Sequence, residues 1–283
     1  MTVRRALAAV AVALACAAQA PADAPWDAAV PPTGEALLAR IKAVYRAHPR
    51  PPFVAYTLVR RDTHDGAPDF ADSYTLKVWC RTHDNAALAR RAWRGAAHGD
   101  LQYLTVMFDR AVDPGPPTAD VFERRSFAAM PVTPAAHASA PPALPPEPLP
   151  EIGRVTSRDG DYRVLRTVRD GDLLHVWLVA RTEPERNRLE ELWVDATTFD
   201  LRRALVRDHL YFAFGATSLE DEFDVRFRPG PGNLPLIASI HGETPGATYE
   251  TDYTFDGVTF PDALPDWYFT PKVYGLHRAD APV

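Results

Sequence analysis

Cysteine is nearly absent from this chain: 283 residues hold two, Cys16 and Cys80. Only Cys80 stands beyond the N-terminal leader, so neither an intramolecular disulfide nor a thiolate metal site staples the fold. Cys80 is expected to be a small buried hydrophobe on a strand. Positive charge is also in short supply, with 31 Lys+Arg against 37 Asp+Glu, which argues against nucleic acid or an anionic membrane surface as partner. The chain lacks Gly-x-Ser-x-Gly, Ser-x-x-Lys, a phosphate loop, a dinucleotide fingerprint, and HxH, HExxH or CxxC spacing. No cofactor, no metal site and no catalytic residue is therefore expected.

What is present begins with Arg4 and Arg5 ahead of an uncharged, alanine-rich run from Ala6 to Ala18. As a helix this run would reach about 20 Å, short of a hydrocarbon core of roughly 30 Å, so residues 1–22 read as a secretory signal peptide. Cleavage is expected to leave Asp23 first, with the mature protein periplasmic or secreted. The alternative is a lipoprotein signal that leaves Cys16 acylated, against which Ala13 stands where a leucine is usual. Without the leader the chain keeps 261 of its 283 residues and loses only Arg4 and Arg5 among its charges, giving 29 Lys+Arg against 37 Asp+Glu, or −8. That length buries a core unaided.

An amphipathic helix comes first. Thr33 is placed to cap it, Glu35 sits in its first turn, and Leu37, Leu38, Ile41, Val44 and Tyr45 recur at helical spacing until His48-Pro49 ends it. Alternating runs then predict antiparallel strands over Phe53–Asp62, Ser73–Arg81, Ala87–Arg94 and Leu101–Asp109. The histidines in the turns His64-Asp65-Gly66 and His83-Asp84-Asn85 read as solvated turn residues. From Asp113 to Pro150 the chain carries eleven of its 28 prolines. That insertion is barred from central strands and is either an ordered extended lid or a mobile loop, with an apolar element at Val121–Phe127 that packs on the body.

The second half reads as a β-meander: Tyr162–Val168, Leu173–Arg181, Leu189–Asp195, Asp200–Phe212, Leu219–Arg228, Leu236–Glu243 and Thr248–Asp256. Asp170-Gly171 marks a tight hairpin between the first two. About eleven strands are too many for a flat sheet. Alternation sets Phe223, Val225 and Phe227 opposite Asp224, Arg226 and Arg228, and sets Tyr249, Tyr253 and Phe255 opposite Glu250, Asp252 and Thr254. A mainly β (α+β) fold follows: a curved antiparallel sheet or partial barrel, with one clear N-terminal helix available to cover its concave face. Phe223, Val225, Phe227, Tyr249, Tyr253, Phe255 and Trp177 are the candidate lining of a greasy cavity. The competing reading is a fully packed core.

The run Leu192-Trp193-Val194-Asp195-Ala196-Thr197-Thr198-Phe199-Asp200-Leu201-Arg202-Arg203, with the close Phe269-Thr270-Pro271-Lys272-Val273-Tyr274-Gly275, resembles the periplasmic lipoprotein-sorting (LolA-like) superfamily and its related sigma-factor-regulator sensor domains. The resemblance covers about residues 33–275. It implies an eleven-stranded half-open barrel lidded by helices, with lipid acyl chains held inside. A single domain over 23–275, interrupted at 113–150 and followed by a tail over 276–283, is the expected organisation. Within the motif, Asp195 and Thr198 read as turn residues and Trp193 as sheet packing.

Three function classes stay open on these residues. The first is a non-enzymatic envelope binder of a lipid or lipidated protein; the second is a sensor or interaction module acting on a membrane partner. A hydrolase is the third, and would need His175, His209 and His241 to converge near Glu243. The run Glu220-Asp221-Glu222 reads as a guard against strand aggregation rather than a calcium site.

Overall fold

The computed structural model describes residues 33–84, 86–94, 101–109, 115–123, 160–184, 187–211, 218–244, 246, 248–274 and 276–277. The leader, most of the proline-rich insertion and His209's side chain fall outside them, so the expectations placed there are not addressed by the structure.

Helix α1 spans Gly34–Ala47 and buries Leu37, Leu38, Ile41 and Tyr45, the stripe read from the sequence. It stops where His48 turns extended ahead of Pro49. Thr33 occupies the N-cap position but makes no side-chain cap bond, and Gly34 follows it in the left-handed region at φ +59°.

Eleven strands follow: β1 Phe53–His64, β2 Ala67–Arg81, β3 Ala86–Arg94, β4 Leu101–Asp109, β5 Tyr162–Asp170, β6 Leu173–Ala180, β7 Leu189–Asp195, β8 Leu201–Tyr211, β9 Ser218–Pro229, β10 Pro235–Glu243 and β11 Tyr249–Thr259. They form one antiparallel sheet in the order β4-β3-β2-β1-β11-β10-β9-β8-β7-β6-β5. Two meanders thus meet where the first strand pairs with the last, Leu58 opposite Phe255. Strands β4 and β5 are neighbours in sequence yet stand at opposite edges. The sheet therefore curls without closing, as a half-open barrel with one N-terminal helix.

Turn chemistry fixes the registers. Asp65 and Gly66, at φ +52° and +73°, bring His64 opposite Ala67, the two left-handed residues a tight hairpin demands. At the β5–β6 turn Gly171 alone is left-handed, at φ +59°, and Asp170 pairs with Leu173. The two-residue turn is Gly171-Asp172, one place later than the Asp-Gly signal suggests.

One face of the sheet forms the main core. Val54, Tyr56 and Leu58 of β1, Leu76, Val78 and Cys80 of β2, Val176 of β6, Leu192 and Val194 of β7, Phe223 and Val225 of β9, Ile240 of β10, and Tyr253 and Phe255 of β11 meet α1 there. Burying a large apolar side chain is worth about 1.5–3 kcal/mol, so the four buried residues of α1 hold a helix too short to persist in water alone. On the other face of β1–β3, Trp79 and Leu88 are covered by Tyr268 and Tyr274, from the 3-10 turn Asp266–Phe269 and the short helix α2, Pro271–Tyr274. Phe269 of the closing motif stacks on Phe53 at 6.2 Å.

Residues 115–123 of the insertion are among the described residues. Pro116 to Phe122 are buried, and this strap, Gly115–Glu123, crosses to β10, whose Ile237 N–H donates to Pro117 O at 2.8 Å. Val121 and Phe122 pack on the core as the sequence suggests; residues 124–127 of the same expectation lie outside the described residues.

Candidate ligand face inside the half-barrel

The alternation of β9 and β11 puts five of the seven candidate residues on the inner face with certain burial or core contact. Val225 is fully buried opposite Ala204 of β8 and Ile240 of β10. Phe223 is 1% exposed and its ring lies across Gly242, where an added Cβ would come within 2.7 Å of the ring. Tyr253 and Phe255 are buried in the same cluster, and Phe227 packs against it. Tyr249 shares the phase of Tyr253 but stands at the strand's start, half-buried, with its ring stacked on His64 at 4.0 Å.

Trp177 is placed elsewhere. Leu174, Val176 and Leu178 of β6 point into the core, so Trp177 lies on the opposite face with His175, their rings 3.5 Å apart. His175 stacks in turn on its cross-strand partner Trp193 at 4.1 Å, and Arg166 and Arg203 flank the stack at 5.0 Å from Trp177 and 4.1 Å from Trp193. Trp193 thus packs the sheet, as expected, in a cation-aromatic ladder on the outside.

Helix α1 and the strap cover the inner face, and polar pairs join them. The Tyr45 hydroxyl donates to Ala119 O at 2.9 Å, and burial pushes its pKa up. Its ring meets Phe122 edge-on at 5.4 Å and Phe227 at 6.1 Å. Asp120 accepts from Arg46 at 2.8 Å and from the Phe122 N–H at 2.9 Å, with Arg50 at 3.4 Å. Tyr56 of β1 reaches Gly115 O at 3.4 Å.

Sequence reasoning overlooked one inner-face feature. Arg60 and Asp62 of β1 are each 5% exposed, and the Arg60 Nε donates to both Asp62 oxygens at 3.0 and 2.8 Å. Thr251 donates to Asp62 at 2.6 Å. Burial works against the Arg60 charge, and the facing Tyr253, Tyr74 and Asp62 outweigh it, so its pKa is raised. The readable signal was phase: both charges continue the Val54, Tyr56, Leu58 alternation.

The polar candidates do not assemble. His175 pairs with Glu191 at 2.5 Å on the outer face, and His241 pairs with Asp252 at 2.8 Å, with β7, β8 and β9 between their strands. Among the described residues no group of three or more His, Cys, Asp or Glu is placed to hold a metal ion. Asp195 does serve its turn: it accepts from the N–H groups of Thr197 and Thr198 at 2.9 and 3.0 Å, bonds that lower its pKa, while Thr198 donates to Asp200 at 2.7 Å.

No family model and no curated protein matches the chain. Solved structures resemble it, among them the following three. One is a DUF1329 family protein from Desulfovibrio piger, at 12% identity and TM-score 0.43, covering 84% of this chain and 96% of that one. A LolA superfamily protein from Nitrosomonas europaea follows at 12% identity and TM-score 0.40, over 83% and 98%. The third is a putative outer membrane lipoprotein-sorting protein domain from Vibrio parahaemolyticus, at 6% identity and TM-score 0.42, over 84% and 96%.

Proposed function

We propose that this protein is an exported, non-enzymatic binding protein of the cell envelope that holds a lipid acyl chain, free or on a lipidated protein, against the inner face of its half-barrel. Phe223, Val225, Phe227, Tyr249, Tyr253 and Phe255 form the lining, and α1 with the strap is the cover that moves aside. One observation carries this reading: an apolar face drawn from both meanders is covered by one helix and one irregular strap. Their fastenings include single polar contacts such as Tyr45 to Ala119. The cover exchanges apolar contact for apolar contact when an acyl chain replaces it, which costs little hydrophobic free energy. Among the described residues no helix is long and apolar enough to cross a membrane.

Saturable binding of a fluorescent fatty-acid probe to the folded full chain tests the reading; a linear, non-saturating signal refutes it. The alternative of an interaction module for a membrane partner draws support from Leu165 and Val179, exposed at 57% and 37% on the adjacent strands β5 and β6 at one open edge.

A further inference from the structure

The inner face carries a buried ion pair, Arg60 with Asp62. Asp62 is fully engaged, by Arg60 Nε on both oxygens and by Thr251 on Oδ1. Its backbone N–H donates to Ser73 Oγ at 3.0 Å, where β2 loses register with β1 between Arg60 and Asp62. Arg60 is not fully engaged. Its guanidinium lies beside the rings of Tyr74 and Tyr253, 5.7 Å from each centroid, and its Nη2 is buried with no hydrogen-bond partner among the described residues. A buried donor of this strength left unmade is costly, and such groups ordinarily find an acceptor.

We propose, resting on the acyl-chain reading above, that Arg60 Nη2 is the polar anchor for the bound chain and that it takes a neutral carbonyl oxygen, so that the protein selects acyl esters and amides over ionised fatty acids. The sign of the charge decides the class. Asp62 already neutralises the guanidinium, and an ionised carboxylate would set a second anion beside Asp62 in a site screened from water, where like charges repel strongly. An ester or amide carbonyl satisfies the spare N–H without adding charge. Among the described residues the rings of Tyr74 and Tyr253 also face Arg60, and neither phenol brings an opposing charge.

The test is displacement of a fluorescent apolar probe from the full chain by three competitors of equal chain length: an alkane, its carboxylic acid above neutral pH, and the methyl ester of that acid. The ester is expected to compete at about tenfold lower concentration than the alkane, the effect of one hydrogen bond from a charged donor, and also to outcompete the ionised acid. The double variant Arg60→Met with Asp62→Leu removes the pair without stranding a charge, and should erase the ester's advantage while still binding the alkane. Equal competition by ester and alkane in the natural protein overturns the anchor and leaves the acyl-chain reading standing; it is also the result if a water molecule satisfies Nη2. A stronger acid than ester overturns the neutral-carbonyl assignment. An ester advantage that survives in the double variant places the anchor elsewhere. Failure of the probe to bind saturably refutes both readings together.

Discussion

The hydroxyl of Tyr45 on α1 donates to the carbonyl of Ala119 on the strap at 2.9 Å, joining two covering elements that lie 74 residues apart in sequence. The bond is buried, so it holds the strap's backbone where an unsatisfied carbonyl would otherwise be exposed to an apolar surround.

Tyr45→Phe removes that bond and keeps the ring against Phe122 and Phe227. We expect a stability loss of about 1–3 kcal/mol, since Ala119 O is left unpaired. If the cover must move for a ligand to enter, probe affinity should rise several-fold in the same variant. Denaturant melts and probe titration read the two quantities; an affinity that falls with stability would show that the cover contributes to the site.

The Arg60–Asp62 pair makes a second prediction. Arg60→Met leaves Asp62 buried and uncompensated, and a buried pair broken from one side costs about 3–5 kcal/mol. Adding Asp62→Leu to that variant should recover most of the loss, because two apolar residues then replace two buried charges. Urea denaturation of the single and double variants checks the order; a double variant no more stable than the single would show that Asp62 is not the origin of the cost.

Acid sensitivity supplies a third. Asp84 accepts from Arg81 Nε and Nη2 at 3.0 and 2.8 Å and from the Ala86 N–H at 3.2 Å. These partners, the Arg81 hydrogen bonds first, lower its pKa to about 2. A depressed carboxylate stabilises the folded state above its unfolded value of about 3.9, and that contribution is lost as pH falls. The melting temperature should therefore decline as pH drops from about 4 towards about 2, and Asp84→Asn should flatten part of that decline. An unchanged profile in the variant would show that the Arg81 contact is spent on solvent. His83 beside it is 70% exposed in its side chain, as a solvated turn histidine should be.

Most strand positions were legible because period-two alternation survives wherever one face is buried. Leu101–Asp109 and Leu189–Asp195 fall on the boundaries read from the sequence. The start of β2 was missed by six residues, since Ala67 to Asp72 carry little apolar pattern and the ladder there breaks between Arg60 and Asp62. Trp177, a candidate for the lining in sequence, is set outside by its parity against Val176 and Leu178. Arg60 and Asp62 continue the inward phase of Val54, Tyr56 and Leu58 although both are charged, so hydrophobicity alone does not find them. The ordered strap could not be read from periodicity, because its contacts are made by carbonyls such as Ala119 O and Pro117 O rather than by a repeating side-chain pattern.

The location of the ligand is tested by two tryptophan insertions on opposite faces of one sheet. Val225 is fully buried on the inner face, and Val179 is 37% exposed on β6 with the parity of the outer residue Trp177. Val225→Trp forces a large ring between Ala204 and Ile240, its cross-strand neighbours. Overpacking of that kind costs about 1–3 kcal/mol. If an acyl chain occupies the same space, the ring also competes with it, and affinity per folded molecule should fall by about tenfold, the equivalent of roughly 1.4 kcal/mol. Val179→Trp adds the same ring where it meets solvent and should leave both quantities nearly unchanged. Titration with the probe, normalised to the folded fraction from circular dichroism, separates the cases. A loss of stability in Val225→Trp with unaltered affinity would leave the inner face as a packed core and move the ligand elsewhere. An equal loss of affinity in Val179→Trp would place it on the outer face beside Trp177, where Arg166 and His175 already crowd the indole.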